Sequence, residues 1–243
     1  MNQGIFQNLE SEIHVWWSML DQPQNSVNQY YRMLSCEEQK RINRFRFPLV
    51  RDRQIVSRGI LKQLISKYIG RSLKEVQFTY NKYGKPLLFS KLDECDLYFN
   101  MSHSEYMGIF GFAKSEAIGV DVEKIKELHN LEDIIQLCFS DFEQSWFNGV
   151  PTKMRTEVFY KVWTAKEAFT KAIGTGFSFP LKKIIFKYDS ENNLSFHNIS
   201  DDGDLLENWD IITFKPHPNF MASLVMKTNG LKVKKRPWEI GFE

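Results

Sequence analysis

Ile13, Val15, Trp17 and Met19 recur at every second position, which predicts a β-strand over 13–19, buried on both faces. Ser35-Cys36-Glu37-Glu38 has the form of a capping box and starts a helix that should run to about Phe45. Pro48 suits the first turn of a second helix and Gly70 its end. Between them Ile55, Ile60, Leu61, Leu64, Ile65 and Tyr68 recur at helical spacing, with Arg51, Arg53, Arg58 and Lys62 on much of the remainder. Strands are predicted at 76–80, 97–101, 107–113 and 117–123, with a turn over Asn81–Pro86. Beyond the polar stretch Lys124–Asn130, helices follow at 131–138, 141–148 and 152–174. The last carries an apolar stripe of Phe159, Val162, Trp163, Phe169 and Ile173. Strands at 184–188, 194–198, 209–214 and 220–226 precede a basic tail at 231–236, to which the sequence assigns no role. Both halves therefore read as helices on a mainly antiparallel sheet, an α+β fold. The polar stretch divides an N-terminal part, 1–123, from a C-terminal part, 124–243. No internal sequence repeat is evident.

With 243 residues the chain can bury a sizeable core without metal or disulfide staples. A net charge of +2 gives no global field toward nucleic acid or an anionic membrane, and neither is expected as a partner. Three cysteines, Cys36, Cys95 and Cys138, form no CxxC pair, which argues against a disulfide framework or structural zinc. The opening residues lack the pattern of a secretory signal, and no apolar run approaches the ~20 residues of a membrane span. The expectation is a cytoplasmic protein.

GxSxG, HExxH, Walker A and GxGxxG motifs are absent, which removes the commonest hydrolase, zinc-protease and nucleotide-binding readings. Asp121 and Glu123 lie two apart on a predicted strand, so both carboxylates share one face. Such a pair suits a hard divalent cation, or else a solvated strand face. Glu167 and Lys171 lie four apart on a helix crowded with aromatics; by themselves they are a surface ion pair or a partly buried site. Asn100-Met101-Ser102-His103-Ser104 follows a strand and offers a hydroxyl and an imidazole to a phosphate, or is a plain turn. Tyr83-Gly84-Lys85-Pro86 puts one cation on a stiff turn.

Taken in this order, Tyr83–Pro86, Asn100–Ser104, Gly119–Glu123 and Trp163–Lys171, with the trailing Gly174–Leu181, resemble the phosphopantetheinyl transferase superfamily in its larger, Sfp-type branch. The resemblance covers about Ser35 to Phe186. It implies two similar α+β subdomains related by a pseudo-two-fold axis, with a coenzyme A cleft between them, in a working monomer. The implied reaction moves the 4′-phosphopantetheine arm of coenzyme A to a serine of an apo acyl or peptidyl carrier protein, leaving 3′,5′-ADP. Asp121, Glu123 and Glu167 match the family's ligands for Mg²⁺, with Mn²⁺ as an alternative. Glu167 is the implied base and Lys171 binds the diphosphate, with Lys166 adding charge. Ser102 and His103 match contacts to coenzyme A phosphates, and Lys85 and Arg53 match positions near the 3′-phosphoadenosine end.

Two other functions use the same residues: a non-catalytic coenzyme A- or carrier-binding module, and a Mg²⁺-dependent diphosphate hydrolase. The complete set Asp121, Glu123, Glu167 and Lys171 weighs against the module, since a binder needs no base.

Overall fold

The alternation near the N-terminus becomes strand β1 (Glu12–Met19), buried on both faces, in a computed structural model that describes residues 8–89, 96–114, 117–199, 208–227 and 230–239. Helix α1 (Gln24–Met33) follows, then α2 (Cys36–Ile42) and α3 (Pro48–Ile69). The expected capping box is present at α2: Glu38 N donates to Ser35 Oγ at 3.2 Å, and Ser35 N donates to Glu38 Oε2 at 2.8 Å. Gly70 ends α3 at φ 63°, the left-handed region that glycine enters without steric cost. A small hairpin of β2 (Phe78–Tyr80) and β3 (Pro86–Leu88) precedes β4 (Tyr98–Ser104) and β5 (Met107–Ala113).

The second series repeats that order. Strand β6 (Ile118–Lys124) leads to α4 (Leu131–Cys138), α5 (Asp141–Phe147) and α6 (Thr152–Ala172). A hairpin of β7 (Ile184–Tyr188) and β8 (Leu194–Ile199) precedes β9 (Trp209–Phe214) and β10 (Phe220–Lys227). The sheets match as well: β1-β5-β4 in the first series, β6-β10-β9 in the second, with antiparallel neighbours throughout. The internal repeat that the residues conceal is plain in the order of elements.

The basic tail forms β11 (Lys232–Pro237), which pairs in parallel with β1. Accordingly the chain forms two compact units, one of residues 1–114 with 232–243 and one of 115–231. The sequence reading put the division after Glu123, but β6 pairs along its length with β10 and belongs wholly to the second unit. In the first unit Tyr30, Ile60, Leu61, Leu64, Phe110 and Phe112 form the heart of the core. In the second, Phe139, Phe147, Val162, Ala165, Phe169 and Phe186 do so. Among the described residues no helix is long and apolar enough to cross a membrane. Cys36 and Cys138 are free thiols, and Cys95 lies outside the described residues.

Candidate active site

In the second unit the candidate residues meet where α6 lies on β6. Gly119 permits the approach: a Cβ there would stand 1.9 Å from the Ala168 carbonyl oxygen and 2.5 Å from the Ala172 nitrogen. Small residues on the helix, Ala168 and Ala172, stand at this close seam, both buried. A second tie holds it. Thr164 Oγ1 and Ser223 Oγ are 2.6 Å apart in the core, and Ser223 pairs in register with Asp121. Either hydroxyl can donate across that bond, and Thr164 Oγ1 also reaches the Tyr160 carbonyl at 2.8 Å.

This seam brings Lys171 Nζ to 2.5 Å from Asp121 Oδ1. Asp121 is buried, whereas the Lys171 side chain keeps 28% of its exposure. Glu123 sits two residues beyond Asp121 on the same strand face, and is half-buried. Glu167 lies one helical turn before Lys171 and is 9% exposed. Its carboxyl is pushed up to about 8, first by burial, then by the charge of Asp121 and more weakly of Glu123, with Lys171 pulling the other way. Glu167 thus faces the repulsion of Asp121 and Glu123 and the attraction of the Lys171 ammonium. As the side chains stand, no three His, Cys, Asp or Glu among the described residues form a group that could hold a metal ion, and the ammonium of Lys171 rests on Asp121. By chemistry the donor set is nevertheless one of hard oxygens whose mutual repulsion a divalent cation relieves.

Lys166 departs from expectation. The sequence reading put it beside the coenzyme's phosphates, but its side chain is fully buried. Its ammonium donates to Glu143 Oε2 at 2.7 Å, to the Leu181 carbonyl at 2.9 Å and to the Ile184 carbonyl at 2.6 Å. Burial pulls this lysine down and Glu143 pulls it back up. The sequence reading missed Glu143. Ser140-x-x-Glu143 carries the same capping-box signature as Ser35-x-x-Glu38, and the box is formed, with Glu143 N donating to Ser140 Oγ at 3.2 Å.

The first unit holds the remaining candidates. Ser102 and His103 lie within β4 rather than after it, since the strand runs on to Ser104. Strand alternation therefore sends them to opposite faces: Ser102 is buried and His103 exposed. The Gln54 amide meets His103 Nε2 at 2.9 Å. That nitrogen accepts in a neutral ring, which leaves the proton on Nδ1. Lys85 sits in a turn stiffened by Asn81, whose Oδ1 accepts from the Tyr83 and Lys85 amides, both at 2.9 Å. Gly84 at φ 84° closes that turn. Arg53 is engaged in a two-pronged pair with Asp21, at 2.6 and 2.9 Å.

Comparison with known proteins gives a consistent family. The 4′-phosphopantetheinyl transferase superfamily model matches residues 117–218, and a model for the N-terminal part of 4′-phosphopantetheinyl transferases matches 20–111. Each match falls inside one of the two compact units. The 4′-phosphopantetheinyl transferase HetI of Nostoc sp. is 34% identical over 168 residues, which cover 69% of this chain and 71% of that protein. A 4′-phosphopantetheinyl transferase of Bacillus subtilis is 28% identical over 204 residues, 80% of this chain and 88% of its own. Sfp of the same species is 29% identical over 178 residues, 72% of this chain and 77% of its own.

Proposed function

Since the chain belongs to the 4′-phosphopantetheinyl transferase superfamily, in its Sfp-type branch, we propose that it transfers the 4′-phosphopantetheine group of coenzyme A to a serine hydroxyl of an apo carrier protein. The other product is 3′,5′-ADP. One observation carries the assignment of the site: Asp121, Glu123, Glu167 and Lys171 come from one strand and one helix to one charged seam, where Asp121 pairs with Lys171 and raises Glu167.

Asp121, Glu123 and Glu167 would hold Mg²⁺, and Mn²⁺ shares the preference for such oxygens. When bound, the ion neutralises charge on the diphosphate under attack. Glu167 takes the proton of the incoming serine: in the free protein burial and Asp121 push its carboxyl up to about 8, and a divalent cation held beside it would favour the ionised form that accepts. Lys171, partly exposed, turns its ammonium from Asp121 to the diphosphate and stabilises the leaving oxygen. Ser102, His103 and Lys85 contact the coenzyme's phosphates. Arg53 does so only by giving up Asp21, which makes it a secondary contact. Two units in one chain support a working monomer, and the free thiols Cys36 and Cys138 suit the cytoplasm.

The test is the intact mass of an apo carrier incubated with coenzyme A and Mg²⁺. The carrier gains the phosphopantetheine mass with wild-type protein, and gains none with chelator or with Asp121→Ala. Transfer that proceeds unchanged in Asp121→Ala would overturn the assignment. Coenzyme A cleavage without any carrier would establish a diphosphate hydrolase instead.

A further inference from the structure

The ammonium of Lys166 has three protons, and all three are already used inside the second unit, on Glu143 Oε2 and the carbonyls of Leu181 and Ile184. The rings of Phe139 and Phe186 lie 5.6 and 5.8 Å from it. Glu143 is equally committed. One oxygen accepts from the Ser140 amide at 2.8 Å and from Lys166, and the other accepts from the Phe186 amide at 3.1 Å. Turning Lys166 outward to a phosphate would break three bonds and leave Glu143 charged, fully buried and without its cation.

The first unit supplies an independent control, because it contains the same clasp. Glu38 completes the capping box of Ser35, and its Oε2 lies 3.2 Å from the nearly buried Lys62 Nζ, with Arg58 also at 3.6 Å from Oε1. The following residue in both boxes is a glutamine that reaches back to the carbonyl before the capping serine: Gln39 to Leu34 at 3.3 Å, Gln144 to Phe139 at 3.0 Å. Yet Lys62 is followed by Gln63, whereas Lys166 is followed by the carboxylate Glu167. The clasp therefore persists where the acid of the charged seam is missing, as a scaffold feature would and a coenzyme ligand would not.

We propose that Lys166 is a positioning residue: with Glu143 it pins the segment Gly174–Ile184 and α5 against α6, and so fixes the direction in which the neighbouring Glu167 carboxylate points. This rests on the transferase reading above, and the experiment separates the two. The full-length wild-type protein is labelled with an amine-specific reagent, with and without coenzyme A and Mg²⁺, and each lysine is quantified by mass spectrometry. Lys166 is expected to stay unlabelled in both states, while Lys171 is labelled in the free protein and shielded by coenzyme. Lys166 labelled in the free protein and shielded by coenzyme overturns the proposal; Lys171 indifferent to coenzyme counts against the transferase reading instead. Kinetics sharpen the result. Lys166→Met and Glu143→Gln should each lower kcat about tenfold or more, with the KM for coenzyme A changed less than about threefold. A tenfold or greater rise in that KM, confined to Lys166→Met, would also overturn it. Labelling uses unmutated protein, so the decision stands even if a variant fails to fold.

Discussion

The two units set the same elements in the same order and close the space between first strand and long helix in opposite ways. In the first unit, β1 meets α3 through neutral groups: Tyr68 OH lies 2.8 Å from both Trp16 Nε1 and His14 Nδ1. His14 Nε2 faces Glu12 at 3.2 Å, so that nitrogen donates, Nδ1 accepts, and the tyrosine hydroxyl donates to it. In the second unit, β6 meets α6 through charges, Asp121 to Lys171 with Glu167 beside them. Both helices are gripped from behind by a glutamate–lysine clasp. The fold supplies the grip and the close seam, and the chemistry is decided by the few side chains that line it.

Four experiments probe that contrast. The largest effect is expected from Glu167→Gln, which gives the second helix the residue type that Gln63 places beside the clasp in the first. Removing the base should cost transfer about a thousandfold, read as the rate of carrier mass gain, with the melting temperature kept or raised. A smaller loss would move the chemistry elsewhere along the seam. Next come the glycines. Gly119→Ala must lift α6 off β6, since its Cβ meets helix backbone, and transfer should fall about a hundredfold in protein that remains folded. Gly59→Ala meets the Tyr30 ring at 2.2 Å; it should cost about 1–3 kcal/mol in urea unfolding and leave activity per folded molecule within about twofold.

Third are the clasps. Glu143→Gln removes the charge opposite a fully buried ammonium and should cost about 3–5 kcal/mol. Glu38→Gln should cost about 1–3 kcal/mol, because Glu38 is 10% exposed. Equal costs, measured by denaturant titration, would erase the distinction between the two. The smallest effect concerns pH. Burial pushes the His14 imidazole below its usual range, Glu12 opposes this, and Arg236 and Lys234 add to it. The unfolded ring binds its proton more readily than the folded one. The penalty is therefore absent above pH about 6.5 and grows as pH falls below it, until the folded ring also titrates. Glu12, whose own pKa is lowered chiefly by its bond to His14, acts in a separate window lower down, near pH 4, about where a free glutamate titrates. Between pH 8 and 5.5 Glu167 works the other way, since its raised carboxyl takes up a proton in the folded state, so the loss should be read in a Glu167→Gln background, where thermal melts should show it and His14→Gln should flatten it. The described histidines of the second unit, His129, His197 and His217, are not buried, so hydrogen exchange should rise first along β1.

Legibility in the sequence followed the strength of local signals. Strong periodicity and paired punctuation placed α3, α6 and the strands β5, β6 and β10 almost residue for residue. Helix α1 escaped notice because it buries only Val27 and Tyr30 and has no side-chain cap after Pro23. Strand β3 is only three residues long and begins on Pro86, the last residue of what reads as a turn. For the candidate site, spacing alone offered Asp121 with Glu123 and Glu167 with Lys171 as two pairs, each equally readable as a solvated surface, and the family resemblance linked them, since only tertiary packing joins the two pieces. Lys166 was misread because one sequence does not say which side of a helix is covered. Its partner Glu143 lies 23 residues away, linked to it only by the fold. The repeat escaped for a related reason: the order of elements is kept while the residues filling it differ.

The parallel pairing of β11 with β1 bears on how the molecule is made. The second unit is an insert between β5 and β11, and its own ends are drawn together, with the Lys227 amide on the Ala117 carbonyl at 3.0 Å. On the ribosome that insert can complete itself while the earlier sheet still presents β1 as a bare edge awaiting its last neighbour. The portion begun first is thus finished last, and a nascent chain halted before Lys232 carries an open strand that invites pairing with other polypeptides.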